Sequence, residues 1–204
     1  MIKILIATHN RAKLERYRYI LDGFSDIQLV SLSDNGITEK ASEPFNSAME
    51  NAVHKAKFYG DLSGYITIAV DEAVHTNFLP DDEQPGVNVR RFKNGKNENT
   101  DEGVLCHWRE VFDKYTTVDK KFIWDFSIAY YNPATGASGS TQIEWINGVA
   151  KVFAKKYVPG YPMSSFVTAE GDDRPWAELS EEEKRESDKK SFIKFVEDFN
   201  NWLK

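Results

Sequence analysis

Three stretches of the chain hold residue types suited to an anionic phosphate and a hard cation. They are Thr8-His9-Asn10-Arg11-Ala12-Lys13, then Glu43 with Glu50-Asn51-Ala52-Val53-His54-Lys55-Ala56, then Asp71-Glu72. In the first, a strand that turns into a helix offers backbone N–H groups and the positive end of a dipole to an anion. Thr8 and Asn10 add hydrogen-bonding groups, and Lys13 adds a point charge one turn into the helix. In the third, two carboxylates leave a buried strand at the end where α/β proteins hold ligands, and their oxygens suit Mg²⁺. Each stretch also has a plainer reading: a capped helix with a solvated lysine, an amphipathic helix with surface charges, and a strand leaving for solvent.

The elements that must position these residues follow from patterning. Ile2 to Ala7 reads as a buried strand, and Leu14, Tyr17, Ile20 and Leu21 recur at helical spacing behind an Asn10 N-cap. Gln28 to Leu32 is a second strand. A helix over about Ser47 to Tyr59 is expected to turn Ala48, Ala52, Val53 and Ala56 inward, which would place Lys55 off its solvated side. Tyr65 to Val70 is the clearest strand, with Asp71-Glu72 at its C-terminal end. Leu79 to Thr100 looks like a long surface excursion. A third helix, about Asp101 to Tyr115, aligns Val104, Leu105, Trp108, Val111 and Phe112.

Phe122 to Tyr131 and Thr141 to Val152 are strand-rich and joined through Asn132-Pro133-Ala134-Thr135-Gly136, a hairpin signal. One closing helix, Ser180 to Lys204, begins with a capping box of Ser180 and Glu183 and carries the stripe Phe192, Phe195, Val196, Phe199 and Trp202. Strands alternating with helices before a hairpin give an α/β fold with a mixed sheet.

Composition excludes several classes. With 204 residues the chain is expected to be one domain, or two intimately packed lobes. Hydrophobic residues at 41% and charged ones at 28% exclude a disordered or fibrous chain. Acids outnumber bases by 32 to 26, a net charge of -6, which argues against nucleic acid or anionic lipid as a partner. The single cysteine, Cys106, excludes an intrachain disulfide and a cysteine-rich zinc site, and its apolar neighbours suggest a small buried residue. No apolar run approaches the roughly 18 residues of a membrane span. Without a signal-peptide pattern, the expected compartment is the cytoplasm.

Taken in order, Ile6-Ala7-Thr8-His9-Asn10-Arg11-Ala12-Lys13, Glu43, Glu50 to Ala56 and Ala69-Val70-Asp71 resemble the inosine triphosphate pyrophosphatase family. Pro85-Gly86-Val87 with Arg91, Gly160-Tyr161, and Ala177 to Lys184 continue the match. The resemblance implies an elongated mixed sheet flanked by helices, with two lobes of one domain and a nucleotide cleft between them, assembled as a homodimer. It implies hydrolysis of a non-standard purine nucleoside triphosphate to the monophosphate and pyrophosphate. Residue by residue, Thr8, Asn10, Lys13 and Lys55 would hold the triphosphate, while Glu43 and Asp71 would bind Mg²⁺. Asp71 would also orient or deprotonate the attacking water, with Lys13 assisting catalysis. Tyr161, Lys184, Lys189 and Lys190 would face the base.

Departures from the family pattern are specific. Val70-Asp71 stands where two adjacent acids are usual, and Glu72 follows. Pro159, Pro162 and Met163 replace the aromatic and the Asp-Pro around Gly160-Tyr161. Asp188-Lys189-Lys190 aligns with the Ser-His-Arg that reads the purine, losing the imidazole and the planar guanidinium. The first reading is therefore a Mg²⁺-dependent nucleoside triphosphate pyrophosphatase with altered base specificity. The alternatives are a non-catalytic nucleotide-binding or sensor protein, favoured by Val70, and a hydrolase of modified or pyrimidine nucleotides.

Overall fold

A computed structural model describes residues 1–92 and 99–204. The part of the expected surface excursion at 93–98 lies outside the described residues. Among the described residues, five strands form one sheet in the order β2-β1-β3-β4-β5. They are β1 (Ile2–Ile6), β2 (Ile27–Ser31), β3 (Ile66–Thr76), β4 (Lys121–Tyr131) and β5 (Ser138–Gly148). The helices are α1 (Arg11–Ile20), α2 (Ala48–Ser63), α3 (Asp101–Lys114), α4 (Glu181–Ser191) and α5 (Ile193–Leu203). β1 runs parallel to both β2 and β3, with Ile4 opposite Leu29 and Ile66. The expected α/β fold with a mixed sheet is what forms.

The chain divides into two compact units, one of residues 1–72, 125–143 and 188–204, the other of 73–124 and 144–187. In the first unit the period-2 alternation of strands decides which helix each residue meets. Leu5, Ala7, Ala69 and Ala129 pack with Ala52, Ala56 and Tyr59 of α2. The intervening residues of β4 face the other way: Phe126 meets Phe192, and Tyr130 meets Phe199 and Trp202. Tyr17 of α1 joins that second layer, edge-on to Phe192 and Phe195. The second unit has an aromatic core in which fully buried Trp108 and Phe122 lie 4.7 Å apart, centroid to centroid.

The expected Asn10 N-cap and Ser180–Glu183 capping box both form. Asn10, Ser47 and Thr100 cap α1, α2 and α3 through their side chains. Ser180 and Glu183 close a full capping box: the Ser180 N–H donates to Glu183 Oε2 at 2.7 Å, and the Glu183 N–H to Ser180 Oγ at 3.2 Å. The hydrogen bond from Arg174, followed by those from Ser180, pulls the Glu183 carboxyl down to about 2. α2 ends where Gly64, at φ +73°, takes the left-handed cap that a side chain would resist.

Five expectations need correction. β3 does not stop at Val70 but continues to Thr76, so Asp71 and Glu72 lie inside a strand. Its neighbour β1 ends at Ile6, opposite Ile68, so the two acids still sit just past the end of the parallel pair. The closing helix is two helices, interrupted at Phe192, whose buried ring is fixed by Tyr17 and Phe126. Val53 is exposed: Ala52 and Ala56 define the buried line of α2, and the next residue falls about 100° off it. Cys106 is likewise exposed. Val104, Trp108 and Val111 set the inward face of α3, and position 106 lies on the far side of the helix. Finally, β5 closes at Gly148 rather than Val152.

Candidate functional site

The charged candidates beside β3 fall into two ion-paired groups, one on each face of the strand. On the α2 face, Asn51 and Lys55 stand four residues apart and point the same way. The Lys55 ammonium donates to Asp71 Oδ1 at 2.8 Å and to Glu43 Oε1 at 3.1 Å. Asn51 Nδ2 donates to the other oxygen, Asp71 Oδ2, at 3.1 Å. Lys55 reaches this position because Ala52 and Ala56 pack inward without exposure, which carries position 55 off the solvated side as the patterning required.

Glu43 sits on the loop before α2, and that loop is held at its backbone. Tyr59 OH donates to the Glu39 carbonyl at 3.0 Å and accepts from the Ala41 N–H at 3.1 Å. His9 Nε2 lies 3.0 Å from the same carbonyl. Asn51 clamps Phe45 from both sides, donating to its carbonyl and accepting from its N–H, each at 3.0 Å. His9 therefore supports the loop rather than reaching toward the carboxylates.

Burial pushes the Asp71 carboxyl above the usual range, Lys55 opposing and Glu43 reinforcing the shift. Burial pulls the Lys55 ammonium down, but the charges of Asp71 and Glu43 outweigh it and hold the ammonium above its usual value. The two directions are compatible because Lys55 faces two carboxylates, whereas Asp71 faces one close cation and a like charge. A carboxylate raised in this way is better matched to accepting a proton near neutral pH.

On the other side of β3, Lys13 Nζ lies 3.0 Å from Glu72 Oε1. The turn before α1 is closed on itself: Thr8 Oγ1 accepts from the Asn10 N–H at 3.1 Å. Asn10 Oδ1 accepts from the N–H groups of Ala12 at 2.9 Å and Lys13 at 3.3 Å. This is the capped-helix arrangement that patterning alone had left open beside the phosphate reading.

Mg²⁺ can be tested against these side chains. Among the described residues, no three His, Cys, Asp or Glu side chains come close enough to cage a metal. Mg²⁺ seldom needs a cage: it binds through one or two carboxylates, several waters and substrate phosphates. Glu43 and Asp71 already direct one oxygen each at a single cation, the Lys55 ammonium. Two hard carboxylate oxygens converging on one positive charge fit Mg²⁺.

The base-side candidates are distributed. Lys189 Nζ is 2.9 Å from both oxygens of Asp22, and Lys190 is exposed. Asp188 is buried at 1% exposure, turned toward Arg16 Nε at 3.3 Å, and accepts a hydrogen bond from Tyr19 OH. The Arg16 guanidinium rests over the rings of Phe126 and Phe192. In the second unit, the Gly160 N–H donates to Asp101 Oδ2 at 2.9 Å, half-buried Tyr161 follows, and Lys184 pairs with Glu181 at 2.9 Å. Position 188 thus carries a buried internal anchor. Asn51 was named only within its stretch and given no role of its own, although its i, i+4 spacing to Lys55 was visible in the sequence. The Lys13–Glu72 and Arg16–Asp188 pairings had no local signal.

A model of the Ham1 family matches residues 4–192, and the chain belongs to that family. A dITP/XTP pyrophosphatase of Thermoanaerobacter pseudethanolicus is 37% identical over 91 residues, covering 45% of this chain and 44% of that protein. The chain thus matches under half the length of that relative. A dITP/XTP pyrophosphatase of Zymomonas mobilis is 24% identical over 183 residues, 90% of this chain and 84% of the relative. Among solved structures, a HAM1 protein from Coxiella burnetii superposes with a TM-score of 0.74 at 22% identity, over 97% of this chain and 99% of that one. The likeness carries the fold. The resemblance read from the ordered motifs is borne out at the level of the family.

Proposed function

We propose that this chain is a Mg²⁺-dependent nucleoside triphosphate pyrophosphatase that releases the monophosphate and pyrophosphate. The observation that carries the reading is the convergence of Glu43 and Asp71 on one cation, with Asn51 fixing the second oxygen of Asp71. Relatives named dITP/XTP pyrophosphatases support it. Glu43 and Asp71 would hold Mg²⁺, which supplies neutralisation of phosphate charge. Lys13 and Lys55 add positive charge to the triphosphate, and Thr8 and Asn10 orient it. Asp71, raised by burial, orients the water that attacks the α-phosphorus and accepts its proton. The resemblance assigns the base to Tyr161, Lys184, Lys189 and Lys190, and a homodimer in the cytoplasm goes with the same reading. No described helix is long and apolar enough to cross a membrane.

Glu43→Gln is expected to lower turnover and to be partly rescued by higher Mg²⁺, since one of two metal-holding carboxylates remains. A magnesium titration of initial rates checks this; a loss indifferent to magnesium would place the metal elsewhere. Base selection is expected to be weak. Lysine offers neither the fork of Arg nor a flat imidazole, and Lys189 is engaged by Asp22. ITP and XTP should be preferred over GTP by less than about tenfold, a gap of about 1.4 kcal/mol. Comparing kcat/KM for ITP, XTP, GTP, ATP and dUTP tests it, and a hundredfold preference for ITP would contradict it. The second reading, a nucleotide-binding protein without turnover, has buried Val70 in its favour. A pyrophosphate-release screen across standard and modified nucleotides separates the two, since turnover of any one of them removes the binding-only reading.

A further inference from the structure

Alternation along β3 places Val70 and Glu72 on the face opposite Asp71. Val70 is buried there, and Glu72 meets α1 through Lys13. The two side chains are 10% and 20% exposed, so the pair is largely withdrawn from water. Lys13 and Lys55 bring two positive charges to the two faces, while Glu43, Asp71 and Glu72 bring three negative ones. The group as a whole carries one negative charge.

We propose that Glu72 is a counter-ion that makes Lys13 available to a phosphate chain only when a divalent cation arrives with it. The site would then select the metal complex of a triphosphate over the bare anion. This rests on the proposed assignment of Lys13 to the triphosphate. A bare triphosphate must take Lys13 from Glu72 and leave beside itself a mostly buried carboxylate without its partner, an expensive arrangement. A divalent cation carried by the phosphates offsets that stranded charge. Glu72 is thus a positioning and selecting residue that acts through Lys13. Glu72→Gln keeps the shape and hydrogen-bonding reach of the side chain while removing its charge.

The test is equilibrium binding of inorganic tripolyphosphate by calorimetry, in EDTA and in Mg²⁺. Wild type, Glu72→Gln, Glu72→Asp, Lys13→Gln and the Lys13→Gln/Glu72→Gln double variant are compared. In EDTA, Glu72→Gln is expected to bind about tenfold tighter than wild type, and in Mg²⁺ to differ by less than about threefold. The gain should vanish in the Lys13→Gln background, and Glu72→Asp should stay near wild type. Equal affinities of wild type and Glu72→Gln in EDTA would overturn the proposal, as would a gain that survives without Lys13. If wild type binds no tripolyphosphate even with Mg²⁺, the assignment of Lys13 to phosphate fails, and the proposal falls with it. If it binds with Mg²⁺ and Glu72→Gln matches wild type in EDTA, only the role of Glu72 falls.

Discussion

Asp71→Asn is expected to lower kcat by at least about a hundredfold while leaving the protein folded. The substitution preserves the side chain's shape, and Lys55 keeps a carboxylate partner in Glu43 at 3.1 Å. What disappears is the negative charge that would hold the cation and the basic oxygen that would take a proton from water. Asn51 can still pair with the new amide through one of its two polar atoms, so the local backbone should not move. A steady-state comparison with thermal melts decides the matter. Near-normal turnover would remove Asp71 from the chemistry, and collapse of the fold would make it a structural residue instead.

Legibility from sequence divides along the distance over which a signal acts. The cap at Asn10 and the Ser180–Glu183 box were readable because each joins residues two or three apart. The burial of Lys55 was readable conditionally, through the small residues Ala52 and Ala56 flanking it. The extension of β3 was not. Asp71 and Glu72 have the composition of a strand end, and only tertiary pairing with Lys55 and Lys13 makes them acceptable inside one. Arg16 and Asp188 lie far apart in the chain, and no local pattern announces a buried carboxylate at position 188. Cys106 was misplaced by its neighbours. Val104 and Leu105 look apolar in line, but helical phase, not adjacency, sets burial.

Lys55→Met is the second large expected effect, and it separates the metal reading from any assay of turnover. Removing the ammonium leaves Glu43 and Asp71 together without their shared cation, in surroundings that expose Asp71 by only 13%. Breaking a buried pair by deleting one partner costs about 3–5 kcal/mol, and the lower end applies because Glu43 is 25% exposed. The pH dependence has a definite sign. Burial already raises the Asp71 carboxyl despite Lys55, and losing Lys55 raises it further. A carboxyl with a folded-state value above its unfolded one contributes its stability in full below the unfolded value and loses it as pH rises through the folded one. The variant should therefore lose stability relative to wild type from the ordinary aspartate range upward. Mg²⁺ binding to the folded state alone should restore part of it by mass action. Thermal melts in EDTA and in Mg²⁺, across acid to neutral pH, would show a larger magnesium-induced rise in Tm for Lys55→Met than for wild type. If magnesium raised both equally, Glu43 and Asp71 would not share a cation, and the two carboxylates would serve only to neutralise a buried lysine.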